Sequence, residues 1–221
     1  MPLLHHLDQA TGLPIRKPKP VRYEMSGPGE LVHVDIKKLS RIPDGGGWRA
    51  HGRGSKQDHR AGSARDKAAR RGASPSRGYV FLHHAVDAFS RLAYSERLSD
   101  ERGETAAGFW IRARAFFAEH GITVTAVMTD NGACYRSRVF AAALGTGVKH
   151  RRTRPFRPQT NGKVERFNRT LAAEWAYARP YASEADRQAA YPIWLHHYNH
   201  HRPHRGIGGL APSARVRNLP G

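Results

Sequence analysis

The segment Leu31-Val32-His33-Val34-Asp35-Ile36 constrains this chain more than any other: an apolar run interrupted at alternate positions by His33 and Asp35. Period-two alternation is the signature of a β-strand, here with one face reserved for polar groups. A carboxylate inside such a strand carries a desolvation cost unless it is paired or metal-bound. Two further strand-like runs follow, Tyr79 to Val86 and Leu92 to Leu98, flanking the turn-like Asp87-Ala88-Phe89-Ser90-Arg91. That arrangement reads as a hairpin, so three consecutive antiparallel strands are expected.

Apolar residues at helical spacing over Glu104 to His120, closed by Gly121, predict a helix. Ile122 to Met128 then reads as a buried strand ending in the turn Thr129-Asp130-Asn131-Gly132. Strand, helix, strand implies a right-handed crossover and hence parallel strands beside the antiparallel ones. The expected fold class is α/β, a mixed sheet flanked by helices. A short helix over 134–144, a basic Pro-containing loop over 151–158 and a helix with the stripe Val164, Phe167, Leu171 and Trp175 come next. The last helix is expected from Glu184 to Asn199, irregular at Pro192.

The domain reading is a basic Pro/Gly-rich arm over residues 1–29, a core over 30–200 and a basic tail over 201–221. A mobile basic insertion is expected over about 44–78, where nine Lys or Arg stand against three Asp. The 221 residues carry 37 Lys plus Arg against 18 Asp plus Glu, a formal charge of +19. The insertion supplies +6, so +13 remains without it and a polyanionic partner is expected from the core itself. Cys134 is the only cysteine, which excludes an internal disulfide framework and the usual thiolate zinc modules. No run approaches 18 apolar residues, so no membrane partner is expected and the location is read as cytoplasmic.

Asp35 in a strand, Asp130 at a strand end and Glu165 on the polar side of a helix are three carboxylates on stiff mounts. Converging hard oxygen ligands suit Mg²⁺ or Mn²⁺, and two such ions serve phosphodiester chemistry. Taken alone, Thr-Asp-Asn-Gly is more often a routine turn than a site.

Four segments together resemble the catalytic core of DDE integrases and transposases, above all those of bacterial insertion sequences. They are Leu-Val-His-Val-Asp-Ile at 31–36, Ala-Val-Asp-Ala-Phe-Ser-Arg at 85–91, Thr-Asp-Asn-Gly at 129–132 and Arg-Pro-Gln-Thr-Asn-Gly-Lys-Val-Glu-Arg-Phe-Asn at 157–168. Tyr198-Asn199 and Arg202-Pro203-His204 extend the likeness. The resemblance implies a ribonuclease H-like fold and makes Asp35, Asp130 and Glu165 the catalytic, metal-binding triad. Asp87, in the hairpin turn, is not the second acid. The 34 residues between Asp130 and Glu165 are one fewer than the family's commonest spacing.

The implied activity is metal-dependent DNA cleavage and strand transfer during transposition, with Mg²⁺ or Mn²⁺, two ions, as cofactor. The implied partners are element-end and target DNA and further copies of the chain; no small-molecule substrate is expected. Gln159, Asn161 and Lys163 are placed near the DNA end, and Arg151, Arg152, Arg154 and Arg157 are candidate phosphate contacts. Arg166, Arg169, Arg202 and His204 complete the expected DNA-binding set. The alternative is a catalytically incompetent DNA-binding remnant or regulator, because only 34 residues precede Asp35, too few for the arm plus a helix-turn-helix domain.

Overall fold

The computed structural model describes residues 10, 11, 13, 24–71, 78–153 and 162–217. Its centre is one five-stranded sheet in the order β3-β2-β1-β4-β5. Strands β1 (Val32–Ser40), β2 (Tyr79–Asp87) and β3 (Ala93–Leu98) pair antiparallel. β4 (Ala126–Thr129) and β5 (Lys149–Arg152) continue the sheet in parallel beside β1. This is the mixed sheet expected from the strand, helix, strand pattern.

Helices cover both faces. On one, α3 (Gly103–Glu119) and α4 (Arg138–Leu144) bury Phe109, Trp110, Phe117 and Phe140 against Val32, Val34 and Val127. On the other, α5 (Gly162–Leu171) and α7 (Tyr191–His200) bury Val164, Phe167, Leu171, Trp194 and Tyr198 against Leu39, Val80, Leu82 and Val86. Alternation along β1 therefore sends Val32 and Val34 to the first layer and Leu39 to the second. Asp35 shares its parity with Leu39, so it belongs to the face covered by α5. The stripe through Trp175 survives because a π-helical turn, Ala172–Ala176, continues α5.

Several boundaries differ from the sequence reading. β4 is shorter than Ile122 to Met128: Ile122 and Val124 are buried but precede the strand, and Thr125 donates its N–H to the Gly29 carbonyl instead. Gly29 has φ +80°, and a Cβ there would stand 2.2 Å from the Thr123 carbonyl oxygen, so this close approach demands glycine. Arg151 and Arg152 are not loop residues; they form the exposed edge strand β5, and an edge strand with solvent-facing side chains shows no apolar alternation. The last helix divides into α6 (Glu184–Ala189) and α7, with Pro192 in the first turn of α7, where its missing N–H has no helical partner to lose. The segment read as a mobile insertion contains α1 (Trp48–His51) and α2 (Lys56–Arg70). Within the segment read as a tail, α8 (Pro212–Arg217) packs Val216 on the first core, and the Arg215 guanidinium stacks 4.3 Å over Phe89.

Asn199 explains why α7 sits where it does. Its side chain accepts from the Ala93 N–H at 3.0 Å and donates to the Ala93 carbonyl at 2.8 Å, satisfying the outer edge of β3 as a neighbouring strand would. Replacing Asn199 with Ala is expected to lower stability by about 2 kcal/mol, since both buried backbone groups lose their partner. Urea denaturation with an unchanged m-value checks this; a loss below about 0.5 kcal/mol contradicts it.

Candidate active site

Parallel pairing of β1 with β4 brings two carboxylates together. Val32 pairs with Val127 and His33 with Met128, an offset that sets Asp35 level with Asp130 just past the end of β4. Asp35 is largely buried, and burial first, then the Asp130 charge, push its carboxyl up to about 6, against the pull of the Asn168 hydrogen bond. Asp130 is exposed, and its Oδ1 accepts the Gly132 N–H at 2.8 Å. That bond closes the Asp-Asn-Gly turn, while Asn131 donates to the Thr153 carbonyl at 2.8 Å and ties the turn to the end of β5. The turn reading and the site reading of Asp130 are thus compatible.

α5 supplies the opposing wall. Val164, Phe167 and Leu171 anchor its apolar stripe, and Asn168, beside that stripe, donates from Nδ2 to Asp35 Oδ2 at 2.8 Å. Glu165 lies three residues earlier, so it shares the Asn168 face, and it is half-buried. Among the described residues no three His, Cys, Asp or Glu side chains stand close enough together to hold one ion. Asp35 and Asp130 thus stand level on adjacent strands, and Glu165 lies one helical turn before Asn168 on the same face of α5.

The remaining expected residues separate into three groups. Arg154, Arg157, Gln159 and Asn161 lie outside the described residues. Arg151, Arg152, Arg166 and Arg169 are exposed, the first two on β5 and the others on α5. Lys163, Arg202 and His204 already have internal contacts. Lys163 Nζ lies 2.7 Å from Glu24, whose other carboxylate oxygen binds Arg91 at 2.8 Å. Arg202 makes a forked pair with Glu174, Nε at 2.9 Å and Nη2 at 2.7 Å. Burial holds His204 down to about 4, edge-on to Tyr198.

Asn168 and Tyr135 are the site neighbours that sequence reasoning did not assign. Asn168 was legible only as a residue beside Glu165 on the helix. Tyr135 gave no signal: among the described residues its buried hydroxyl has no hydrogen-bond partner, and burial, then the Asp35 charge, raise its pKa well above the ordinary value. Asp87 is buried in the hairpin turn, with Oδ1 accepting from the Gly29 N–H and Oδ2 from the Ser90 N–H and hydroxyl. Its acceptor positions organise the turn.

The raised Asp35 pKa has a stability consequence. A carboxyl with a higher pKa in the folded than in the unfolded chain stabilises fully below the unfolded value and loses that contribution as pH rises through the folded value. For Asp35 the window is from 3.8 to about 6. The loss is about 2 kcal/mol after allowance for partial exposure. In EDTA, Asp35→Asn is therefore expected to be more stable than wild type at about pH 7.5 and equal to it near pH 4. Denaturant titration at both values checks this, and a variant less stable at the higher pH contradicts it.

Comparisons with known proteins bear on the family and the fold. An integrase core domain family matches residues 26–158, and a second family model of the same description matches 146–212. The InsD transposase of insertion element IS2A/D/F/H/I/K from Escherichia coli is 31% identical over 93 residues, 41% of this chain and 30% of that protein. The InsD transposase of IS2E from the same species aligns over 42% of its length. The matched segment thus spans less than half of each of these curated relatives. Among solved structures, a chain of the simian T-cell lymphotropic virus intasome superposes with TM-score 0.61 at 17% identity, covering 97% of this chain and 64% of that one. The HTLV-2 integrase catalytic core, solved with magnesium, gives TM-score 0.54 at 15% identity, covering 86% and 98%. The sheet order, the helices on both faces and these likenesses give a ribonuclease H-like fold, and with more than half of its length matched the chain belongs to the integrase core domain family.

Proposed function

We propose that this chain is the catalytic core of a DNA transposase that cuts DNA at element ends and joins them to a target with divalent metal ions. The observation that carries the reading is the placement of Asp35 and Asp130 level on adjacent parallel strands, with the polar face of α5 against them. The donor chemistry fits Mg²⁺ or Mn²⁺: Asp35 and Asp130 offer hard oxygens, and burial first, then the Asp130 charge, raise the Asp35 carboxyl, a cost that a cation beside both would offset. Asp35, Asp130 and Glu165 would hold the ions. When bound, two such ions supply an activated nucleophile and neutralise charge at phosphorus.

The side chains divide the work. Asn168 fixes Asp35 by binding Oδ2, and the Gly132 N–H fixes Asp130, so both carboxylates are oriented before substrate arrives. Glu165, half-buried one turn before Asn168 on the same face of α5, would complete the set. Exposed Arg151, Arg152, Arg166 and Arg169 border this face and suit phosphates of the bound duplex. Water would cut at an element end, and the freed 3′-hydroxyl would then attack target DNA, with no covalent link to the protein. Joining two ends to one target calls for at least two copies on DNA.

The separation of Glu165 from a three-carboxylate cluster favours one second reading, a DNA-binding chain that does not perform the chemistry. Labelled DNA bearing candidate element ends, incubated with Mg²⁺, Mn²⁺ or EDTA, separates the two. Metal-dependent strand transfer is expected, falling about a thousandfold in Asp35→Asn, Asp130→Asn and Glu165→Gln while DNA binding persists. Binding without cleavage by the wild type overturns the catalytic reading.

A further inference from the structure

The segment between β1 and β2 does more than add charge. α1 packs beside the end of the π-helical turn, and the two chain segments enclose a surface hollow of about 380 Å³ lined by Trp48, Arg49, Arg53, Tyr177, Arg179 and Pro180, among others. No acidic side chain lines it. Trp48 and Tyr177 are each 43% exposed, unusual for rings of that size. The Arg49 guanidinium lies 4.9 Å from the Trp48 ring and 4.4 Å from the Tyr177 ring, linking the two, and Arg53 lies 4.7 Å from Trp48. Among the described residues neither Arg49 nor Arg53 forms an ion pair, whereas Arg179 is held by Asp186 at 2.8 Å.

The mount is firm. The Ile42 N–H donates to Glu184, and the Arg187 guanidinium, buried at 1% exposure, binds both Glu184 and the Ser40 carbonyl. These bonds fasten the exit of β1 to α6, so the loop leading into α1 starts from a fixed point.

We propose that this hollow binds unpaired nucleotides of single-stranded DNA, a base against the Trp48 and Tyr177 rings and the adjoining phosphates at Arg49 and Arg53. Two exposed rings bridged by the Arg49 guanidinium, with Arg53 over Trp48 and neither arginine in an ion pair among the described residues, match a ligand with alternating π-faces and negative charges. A duplex keeps its base faces stacked internally and offers the rings nothing; a single strand presents them. The site rests on the reading of DNA as substrate and deepens it. Tyr177 lies twelve residues beyond Glu165, roughly 18 Å along the helix at 1.5 Å per residue, so one strand leaving the carboxylates can reach the hollow within a few nucleotides.

The test is binding in EDTA, which leaves catalysis out, on the Asp35→Asn background. The probe is an oligothymidylate of about 12 nucleotides, with a mixed-sequence duplex of equal length as the comparison. Trp110, Trp175 and Trp194 are buried, so among the four tryptophans quenching reports Trp48. The oligothymidylate is expected to quench the fluorescence. By anisotropy, Trp48→Ala and Tyr177→Ala should each weaken its binding about tenfold while duplex affinity stays within about twofold. Trp48→Phe should retain most of the affinity, and Arg53→Glu should lose it with both rings in place. Absent quenching, unchanged affinity in the ring variants, or an equal loss for the duplex overturns the proposal. Strand transfer by the wild type can fail or succeed independently of each of these results.

Discussion

The hydrogen bond from Asn168 to Asp35 joins residues 133 positions apart, and the layout of the candidate site depends on it. Hydrophobic packing of Val164, Phe167 and Leu171 fixes how deep α5 sits but tolerates rotation about its axis. A directional bond at 2.8 Å to a strand carboxylate removes that freedom and determines which residues of α5 look onto β1. Glu165, one turn before Asn168, shares that face of α5. The carboxylate pair is set by another register, that of β1 with β4, which short parallel pairing over Val32 and His33 is enough to impose. One helix rotation and one strand register therefore define the position of three acidic groups drawn from segments far apart in the chain.

Electrostatics reinforces this economy. The chain carries +19, yet its candidate centre is acidic, and the acidic groups sit inside a cationic surface built from β5 and α5. A polyanion is attracted by the surround and repelled by the centre unless cations intervene, which makes metal occupancy and nucleic-acid approach mutually favourable. Several cations are already matched internally: Lys163 and Arg91 share Glu24, and Arg202 holds Glu174. The excess available for a partner is accordingly more localised than the net charge suggests, with exposed Arg151, Arg152, Arg166 and Arg169 as its nearest elements.

Legibility in the sequence followed the physics of burial. β1, the hairpin, α3 and the α5 stripe each bury one side against a core, so their periodicities were readable before any coordinates. β5 was not, because Lys149, Arg151 and Arg152 face solvent on an edge and only backbone pairing to β4 makes them a strand. The start of β4 was misplaced because Ile122 and Val124 are buried through loop packing, which reads like a strand in composition. α1 and α2 escaped notice since their polar, glycine-spaced sequence has no core-facing stripe of its own. At the site, motif resemblance nominated Asp35, Asp130 and Glu165, of which the structure sets the first two level on adjacent strands. The Asn168 bond, the unpartnered Tyr135 hydroxyl and the aromatic hollow were not, because each depends on contacts between segments that no local pattern encodes.

Asp35 and Asp87 show why burial alone does not mark a reactive carboxylate. Both lie on the central strands, and burial raises the pKa of both. Asp87 receives three donors, from Gly29 and twice from Ser90, with Arg91 adding a favourable charge nearby. Its charge is satisfied by the turn it organises, and a cation arriving there would have to displace hydrogen bonds already made. Asp35 receives the Asn168 side chain and the Ile36 backbone, while the charge that acts on it most, Asp130, is of like sign and outweighs the pull of Lys37. The fold therefore leaves Asp35 in electrostatic deficit where it leaves Asp87 in balance, and a deficit between two carboxylates is relieved only by a proton or by a cation placed between them. A proton suffices below pH about 6, the raised Asp35 value. Above it a cation placed beside both carboxylates would do so, a demand that the Asp87 turn does not make.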